Sequence, residues 1–282
     1  MVSHVVCPVF AVGDHSGTTR GPVGPSRPLR KACKPCHTVS SIATPNPFWE
    51  YFTDEHQRVL SPDEAHRAIY IDFEGSQDKE PAILGSLWAY GKTPTDDSLR
   101  LVHDIHHPSL RSIVDEIELS HDDLKDYQQH SRSVEQSLNA LLLLAQAQDR
   151  LLVSWSPYEF LKIGEYVSSD LFTLFQHTYR DGKATAMAWS EQESEPVAKG
   201  SNTLVHYFEA TDYPVELEVY GLGKTTQRLN SVINGVKNKG SYEALIDSQK
   251  ENWGNLLIHN FYDCHGLRHV TKFAATALQE ES

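Results

Sequence analysis

Asp72 and Glu74 stand two residues apart in the run Ala68-Ile69-Tyr70-Ile71-Asp72-Phe73-Glu74-Gly75. The β-branched and aromatic residues of this run favour a strand, and Gly75 ends it. Side chains alternate faces along a strand, so Tyr70, Asp72 and Glu74 share one face while Ile69, Ile71 and Phe73 share the other. Two carboxylates on an otherwise apolar strand are costly unless something neutralises them. A divalent cation is the common remedy, because carboxylate oxygens suit Mg2+ and Mn2+. A solvent-exposed strand end would serve as well, and the spacing alone does not separate the two.

Two later acids extend the pattern. Glu159 follows Pro157, which opens a helix in the position proline favours, and a carboxylate in a first helical turn is an ordinary partner of the positive helix end. Asp263 falls inside a helical pattern, in His259-Asn260-Phe261-Tyr262-Asp263-Cys264. An Asp there has poor helix propensity and asks for a partner or a function. Two-metal phosphodiester cleavage needs such a set of acids, holding ions roughly 3.5–4 Å apart.

The elements that must position these residues are legible in outline. Residues 47–66 carry Phe48, Trp49, Tyr51 and Phe52 and fit a short edge helix over 46–66. The strand at 68–75 is followed by strands at 81–90 and 99–105, with Asp104-Ile105-His106-His107-Pro108 closing the third; short links suggest an antiparallel meander. A long helix then begins near Asp122 and Asp123, with Leu124, Tyr127, Val134, Leu138, Leu141 and Ala145 at helical spacing. Leu151-Leu152-Val153-Ser154-Trp155 is a short buried strand, and strand, helix, strand in this order is a parallel crossover. Residues 190–201 read as an exposed loop, 203–222 as strand-like or irregular, 225–233 as a short helix and 242–278 as the last helix. On that helix Trp253, Leu256, Leu257, Asn260, Cys264, Leu267 and Val270 share one face, and Asp263 flanks it.

The ordered motifs Tyr70-Ile71-Asp72-Phe73-Glu74-Gly75, Ser154-Trp155-Ser156-Pro157-Tyr158-Glu159 and His259-Asn260-Phe261-Tyr262-Asp263-Cys264 resemble those of the DEDD-type 3′–5′ exonucleases of the ribonuclease H-like fold. Within that group the chain is most similar to the bacterial RecB-family and YprB-like nuclease domains. In these a D-x-E strand is followed by a second strand ending near I-L-G, as in Ile83-Leu84-Gly85, and Tyr220-Gly221-Leu222 looks like the stretch before the short helix that precedes the third motif. The resemblance spans about residues 68–278; it lies in the order and spacing of the set rather than in any one motif. It implies an α/β, ribonuclease H-like fold over 67–282, a mixed sheet of three antiparallel strands then parallel crossovers flanked by helices, with the acids at one sheet edge. It implies a two-metal nuclease acting on DNA or RNA, as a 3′–5′ exonuclease on single-stranded 3′ ends. Asp72 would bridge two Mg2+ or Mn2+ ions, Glu74 and Asp263 would complete the first, and Glu159 would serve the second. Two departures stand out. Many family members carry Asp where this chain has Glu159, and the residue that orients the attacking water is here His259, at the tyrosine spacing four before the last acid. An imidazole can do that work.

Composition sets bounds on these expectations. The 282 residues carry a formal charge of -13 and are 39% hydrophobic, which suits one good-sized domain with an extension, or two small ones. No run approaches the ~18 apolar residues of a membrane span. Residues 1–13 lack a basic start and are broken by Pro8, a poor signal peptide. Four cysteines in a chain of this length do not suggest a disulfide scaffold, so a reducing cytoplasm is the expected setting. The acidic balance opposes broad electrostatic grip on nucleic acid, although an acidic, metal-filled site can bind phosphodiesters locally.

Residues 1–45, rich in Gly, Pro, Ser and Thr, read as a flexible arm. It is basic, with Arg20, Arg27, Arg30, Lys31 and Lys34 against Asp14, and could contact phosphates. Within it His4-x-x-Cys7 and Cys33-x-x-Cys36 offer four zinc ligands, but zinc ribbons usually show Cys at all four places and the gap here is Pro/Gly-rich, so reduced, unligated thiols are the expected state. Gly221-Leu222-Gly223-Lys224-Thr225-Thr226 looks like the end of a phosphate loop, yet Glu218 stands where the pattern needs glycine. His103, His106 and His107, without acids or cysteines at ligand spacing, read as a solvated turn. The rival to a nuclease is the same fold kept as a catalytically inactive binding or scaffold domain; the charge of -13 and the residue at 259 feed it.

Overall fold

The computed structural model describes residues 46–76, 79–90, 97–193, 197, 203–215 and 223–280. The basic arm, its candidate zinc ligands His4, Cys7, Cys33 and Cys36, and the stretch Tyr220-Gly221-Leu222 lie outside the described residues.

A six-stranded mixed sheet forms the centre: β1 (Ile69–Glu74), β2 (Ile83–Ala89), β3 (Leu99–Ile105), β4 (Leu124–Ser131), β5 (Leu152–Ser154) and β6 (Tyr179–Asp181). The order is β4-β3-β2-β1-β5-β6. β1 and β2, and β2 and β3, pair antiparallel, whereas β3/β4, β1/β5 and β5/β6 are parallel. Helices complete the described fold: α1 (Pro62–Arg67), α2 (Val134–Gln148), α3 (Pro157–Tyr166), α4 (Ser169–Thr178), α5 (Gly182–Gln192), α6 (Leu204–Ala210), α7 (Thr225–Lys239) and the 34-residue α8 (Asp247–Glu280).

The alternation along β1 separates two seams. Ile69, Ile71 and Phe73 pack with Leu138, Leu141 and Leu142 of α2, Phe160 of α3 and Phe172 and Phe175 of α4. On the other face Tyr70 and Val153 meet Leu267, Val270 and Ala274 of α8, and Leu87 and Leu101 meet Phe261 and Cys264 of the same helix. Each such buried Leu, Ile or Phe contributes roughly 1.5–3 kcal/mol, so these seams hold the sheet between two helical layers. Among the described residues no helix is long and apolar enough to cross a membrane.

Several expectations need correction. Residues 124–131 form β4 instead of the first turns of a helix; the helix starts at Val134, where the Ser133 hydroxyl and Gln136 close a capping box. The edge segment is two 3-10 turns (Pro47–Tyr51, Asp54–Gln57) and α1, because Pro62 lacks an N–H and Ser61, extended, caps a new helix through Glu64. Ile83-Leu84-Gly85 opens β2 rather than ending it. Residues 190–192 still belong to α5, and 204–210 are helical, with Leu204, Tyr207 and Phe208 buried. α7 runs on to Lys239, and the last helix starts at Asp247, not near residue 242. His103 and His106 are core residues, 0% and 2% exposed. His103 Nδ1 lies 3.0 Å from the Tyr127 hydroxyl, and the His106 ring joins Pro81 O at 3.2 Å and Ser137 Oγ at 3.1 Å. Neutral imidazoles with polar partners can be buried in this way.

Candidate functional site

The acids meet at the C-terminal ends of β1 and β5, the adjacent parallel pair, and not at a sheet edge. From β1 the chain turns toward β2; from β5 it turns the opposite way, toward β6. A crevice at such a reversal, beyond the carboxyl ends of the strands, is where open α/β sheets bind ligands.

β1 supplies two of the acids. Asp72 is half-buried, and Glu74, at the strand's end, is 5% exposed, so the solvated strand end envisaged for this pair is not what forms. Glu159 is also 5% exposed. It sits in the first turn of α3, whose N-cap Ser156 donates to Glu159 Oε2 at 3.2 Å. α8 supplies Asp263 and, one turn earlier, His259. His259 Nε2 lies 3.3 Å from Asp263 Oδ2 and 3.7 Å from Glu74 Oε1. Glu74 Oε1 has no hydrogen-bond donor.

Electrostatics ties the four carboxylates together. Burial, then the charges of Asp263, Glu74 and Glu159, push Asp72 well above the usual carboxylate range, against the pull of the Asn260 amide. Burial, then Asp263 and Glu159, do the same to Glu74, while Arg228 of α7 pulls it down. Burial lifts Glu159 to about 7, against its own backbone N–H and the Ser154 and Ser156 hydroxyls. All five residues singled out in the sequence, Asp72, Glu74, Glu159, Asp263 and His259, are thus brought into one neighbourhood.

Two contributors escaped the sequence reading. Asp181 ends β6, caps α5 by accepting from Lys183 N at 3.0 Å, and raises Glu159 through its charge; burial lifts Asp181 itself to about 7. Its signal was an acid followed by glycine just after an aromatic residue, Tyr179-Arg180-Asp181-Gly182, the same acid-glycine punctuation that ends β1. The other is Asn260, read as part of the third motif and of an apolar helix face but given no role. Its Nδ2 donates to Asp72 Oδ2 at 2.8 Å and to Asp72 O at 3.2 Å.

Glu74, His259 and Asp263 each offer one ligand atom, and these atoms lie within 4.8 Å of one another. Carboxylate oxygens with one imidazole could hold a divalent cation, the imidazole favouring Mn2+ over Mg2+. The donor-less, buried Glu74 Oε1 fits that use, since an orphaned buried carboxylate oxygen otherwise costs stability. No protein-family model matches the chain, and no curated protein or solved structure shows significant similarity to it.

Proposed function

We propose that this chain is a metal-dependent nuclease that hydrolyses phosphodiester bonds of DNA or RNA, working as a 3′–5′ exonuclease of the DEDD type on a ribonuclease H-like fold. Three antiparallel strands followed by parallel β5 and β6 support the fold reading, with β4 as an added edge. The observation that carries the function is the convergence of Asp72, Glu74, Glu159 and Asp263 from β1, α3 and α8 into one mutually repelling group, Glu74 and Glu159 buried and Asp72 and Asp263 partly so. Protein folds tolerate such groups where function requires them.

Bound divalent ions would supply Lewis-acid activation of water and of the scissile phosphate. The chain's own residues have distinct tasks. Asp72, Glu74, Asp263 and Glu159 would hold the ions. Asn260 fixes the Asp72 carboxylate in one orientation. With the ions held by the carboxylates alone, His259 Nε2, 3.3 Å from Asp263 Oδ2 and 3.7 Å from Glu74 Oε1, would be free to take the proton of the attacking water, and the two acids would stabilise the resulting imidazolium.

One feature favours the rival reading of an inactive binding domain. His259, when protonated, sets a positive charge between Asp263 and Glu74 and offsets part of their repulsion without any ion. Degradation of end-labelled single-stranded DNA and RNA by the full chain with Mn2+ or Mg2+ decides. Shortening from the 3′ end, lost in Asp72→Asn and Asp263→Asn, supports the nuclease. A chain inert on every substrate with both metals is a binding domain.

A further inference from the structure

On the other flank of α8 from Asp263 lies a groove of about 510 Å3, lined by Arg268, Lys272, Phe273, His269 and Asp97, among others. It is built around an excess of donors. Arg268 is 6% exposed, and its Nε is buried without an acceptor. Three cationic or titratable groups converge on the single carboxylate of Asp97: Arg268 at 2.7 Å, Lys272 at 3.2 Å and His66 of α1 at 3.6 Å. Asp97 is itself 55% exposed, so an incoming anion could replace it without opening the core.

Burial, then Arg268, lowers the Lys272 pKa, and burial, then Lys272, lowers that of His66. Burial pushes Asp97 up, but Arg268 and Lys272 outweigh it and leave it below its usual value. The other carboxylates of the groove are placed differently. Asp123 is engaged by His265 at 3.5 Å and His121 at 3.7 Å. Glu280 lies eight residues beyond Lys272, about 12 Å along the helix axis.

Phe273 adds a second kind of contact. Its ring is 42% exposed, yet it is braced by a T-shaped contact with Trp189, the ring centroids 5.1 Å apart. Arg268 and Phe273 are five residues apart, about 7.5 Å along α8 and well round its circumference, and both line the groove. Cations that accept a phosphate, beside an exposed aromatic ring that can stack a base, make a nucleotide-binding surface.

We propose that this groove binds a nucleoside phosphate unit, the phosphate on Arg268 and Lys272 and the base on Phe273, with Asp97 occupying the phosphate position in the free protein. The carboxylate site has no part in this proposal. Binding is therefore measured in EDTA with the full chain, using a fluorescent single-stranded oligonucleotide, AMP and inorganic phosphate as probes.

Asp97→Asn should tighten binding several-fold by removing the internal competitor. Lys272→Gln, at a partly exposed position, should weaken it at least about 5-fold, with a shallower salt dependence. Phe273→Ala should weaken AMP and oligonucleotide and leave phosphate unchanged. AMP competing as well as the oligonucleotide identifies a mononucleotide site; binding of the oligonucleotide alone identifies a strand site. No binding to wild type and Asp97→Asn, binding indifferent to Lys272→Gln and Phe273→Ala, or phosphate binding with no gain from a base, each overturns the proposal. Because cleavage is not read, an inert nuclease that binds AMP and a nuclease without this groove give different results.

Discussion

Asn260 of α8 occupies the space that a side chain at Gly85 would fill. A Cβ built on Gly85 would overlap Asn260 Oδ1 and lie 2.8 Å from its Cγ. Asp72, Gly85 and His103 are directly opposite one another on β1, β2 and β3, so the missing side chain at 85 opens a slot across the sheet. Through that slot the Asn260 amide reaches Asp72. The glycine is required by this close approach, at a position in mid-strand where glycine otherwise weakens a sheet.

Gly85→Ala should therefore destabilise by about 1–3 kcal/mol, the cost of overpacking a filled site, and should abolish nuclease activity by displacing Asn260. Asn260→Ala should lower activity while the fold survives. In the double variant the methyl introduced at position 85 enters the volume vacated by the amide, so Tm should recover most of the loss seen in Gly85→Ala while activity stays low. Thermal melts and cleavage rates of the four proteins form the cycle; additive losses in Tm would show that the two residues do not share this space.

Removing one of the crowded charges should stabilise the metal-free protein. Asp72→Asn and Asp263→Asn should each raise Tm in EDTA, because the remaining carboxylates lose a repelling neighbour. Both should abolish metal-dependent cleavage. A fall in Tm in EDTA for both variants would mean that the carboxylates are held by compensating donors.

pH dependence follows from Glu159 and Asp181, both lifted to about 7 from ordinary values of 4.5 and 3.8. An acid whose folded pKa is raised keeps its proton longer in the folded state. Its contribution to stability is therefore lost as pH rises from about 4 to about 7. Buried His103 and His106, lowered to about 3 and about 4, act in the opposite sense, costing stability as pH falls below 6.5. Substitution isolates the acid. Glu159→Gln should raise Tm relative to wild type more at pH 8 than at pH 4.5, in EDTA. The Tm gain on adding Mn2+ should likewise be larger at pH 8. A pH-independent difference would show that Glu159 is not protonated in the folded protein near neutrality.

His259→Ala should reduce the cleavage rate by about 10²–10⁴-fold, the usual worth of a positioned proton acceptor. The mutant should still gain Tm on Mn2+ addition, since the carboxylates remain. Loss of that gain together with the rate would make His259 a ligand instead.

The sequence made visible the parts of the fold where burial is one-sided. β1, with Ile69, Ile71 and Phe73 against Tyr70, Asp72 and Glu74, and α8, with Leu256, Leu257, Cys264 and Leu267 on one face, follow their hydrophobic periods. β4 did not, because this edge strand keeps only His103's neighbour Gln129 buried and otherwise exposes Lys125, Asp126 and Gln128 in part; with no alternation, Leu124 and Tyr127 merged with the period of α2. Asp181 was missed because β6 has three residues, too few to show a pattern. Asn260 was visible as a residue but not as a partner, since what defines it is a glycine on another strand.

Asp72 and its amide partner on α8 are 188 residues apart in the chain. Loop closure over such a separation is entropically expensive and is repaid only when the sheet and the long helix are in place together. The acidic pocket therefore needs the sheet and α8 docked on each other, and strands without that helix leave Asp72 and Glu74 apart from Asp263. Whatever chemistry these residues perform, it is switched on by completion of folding itself.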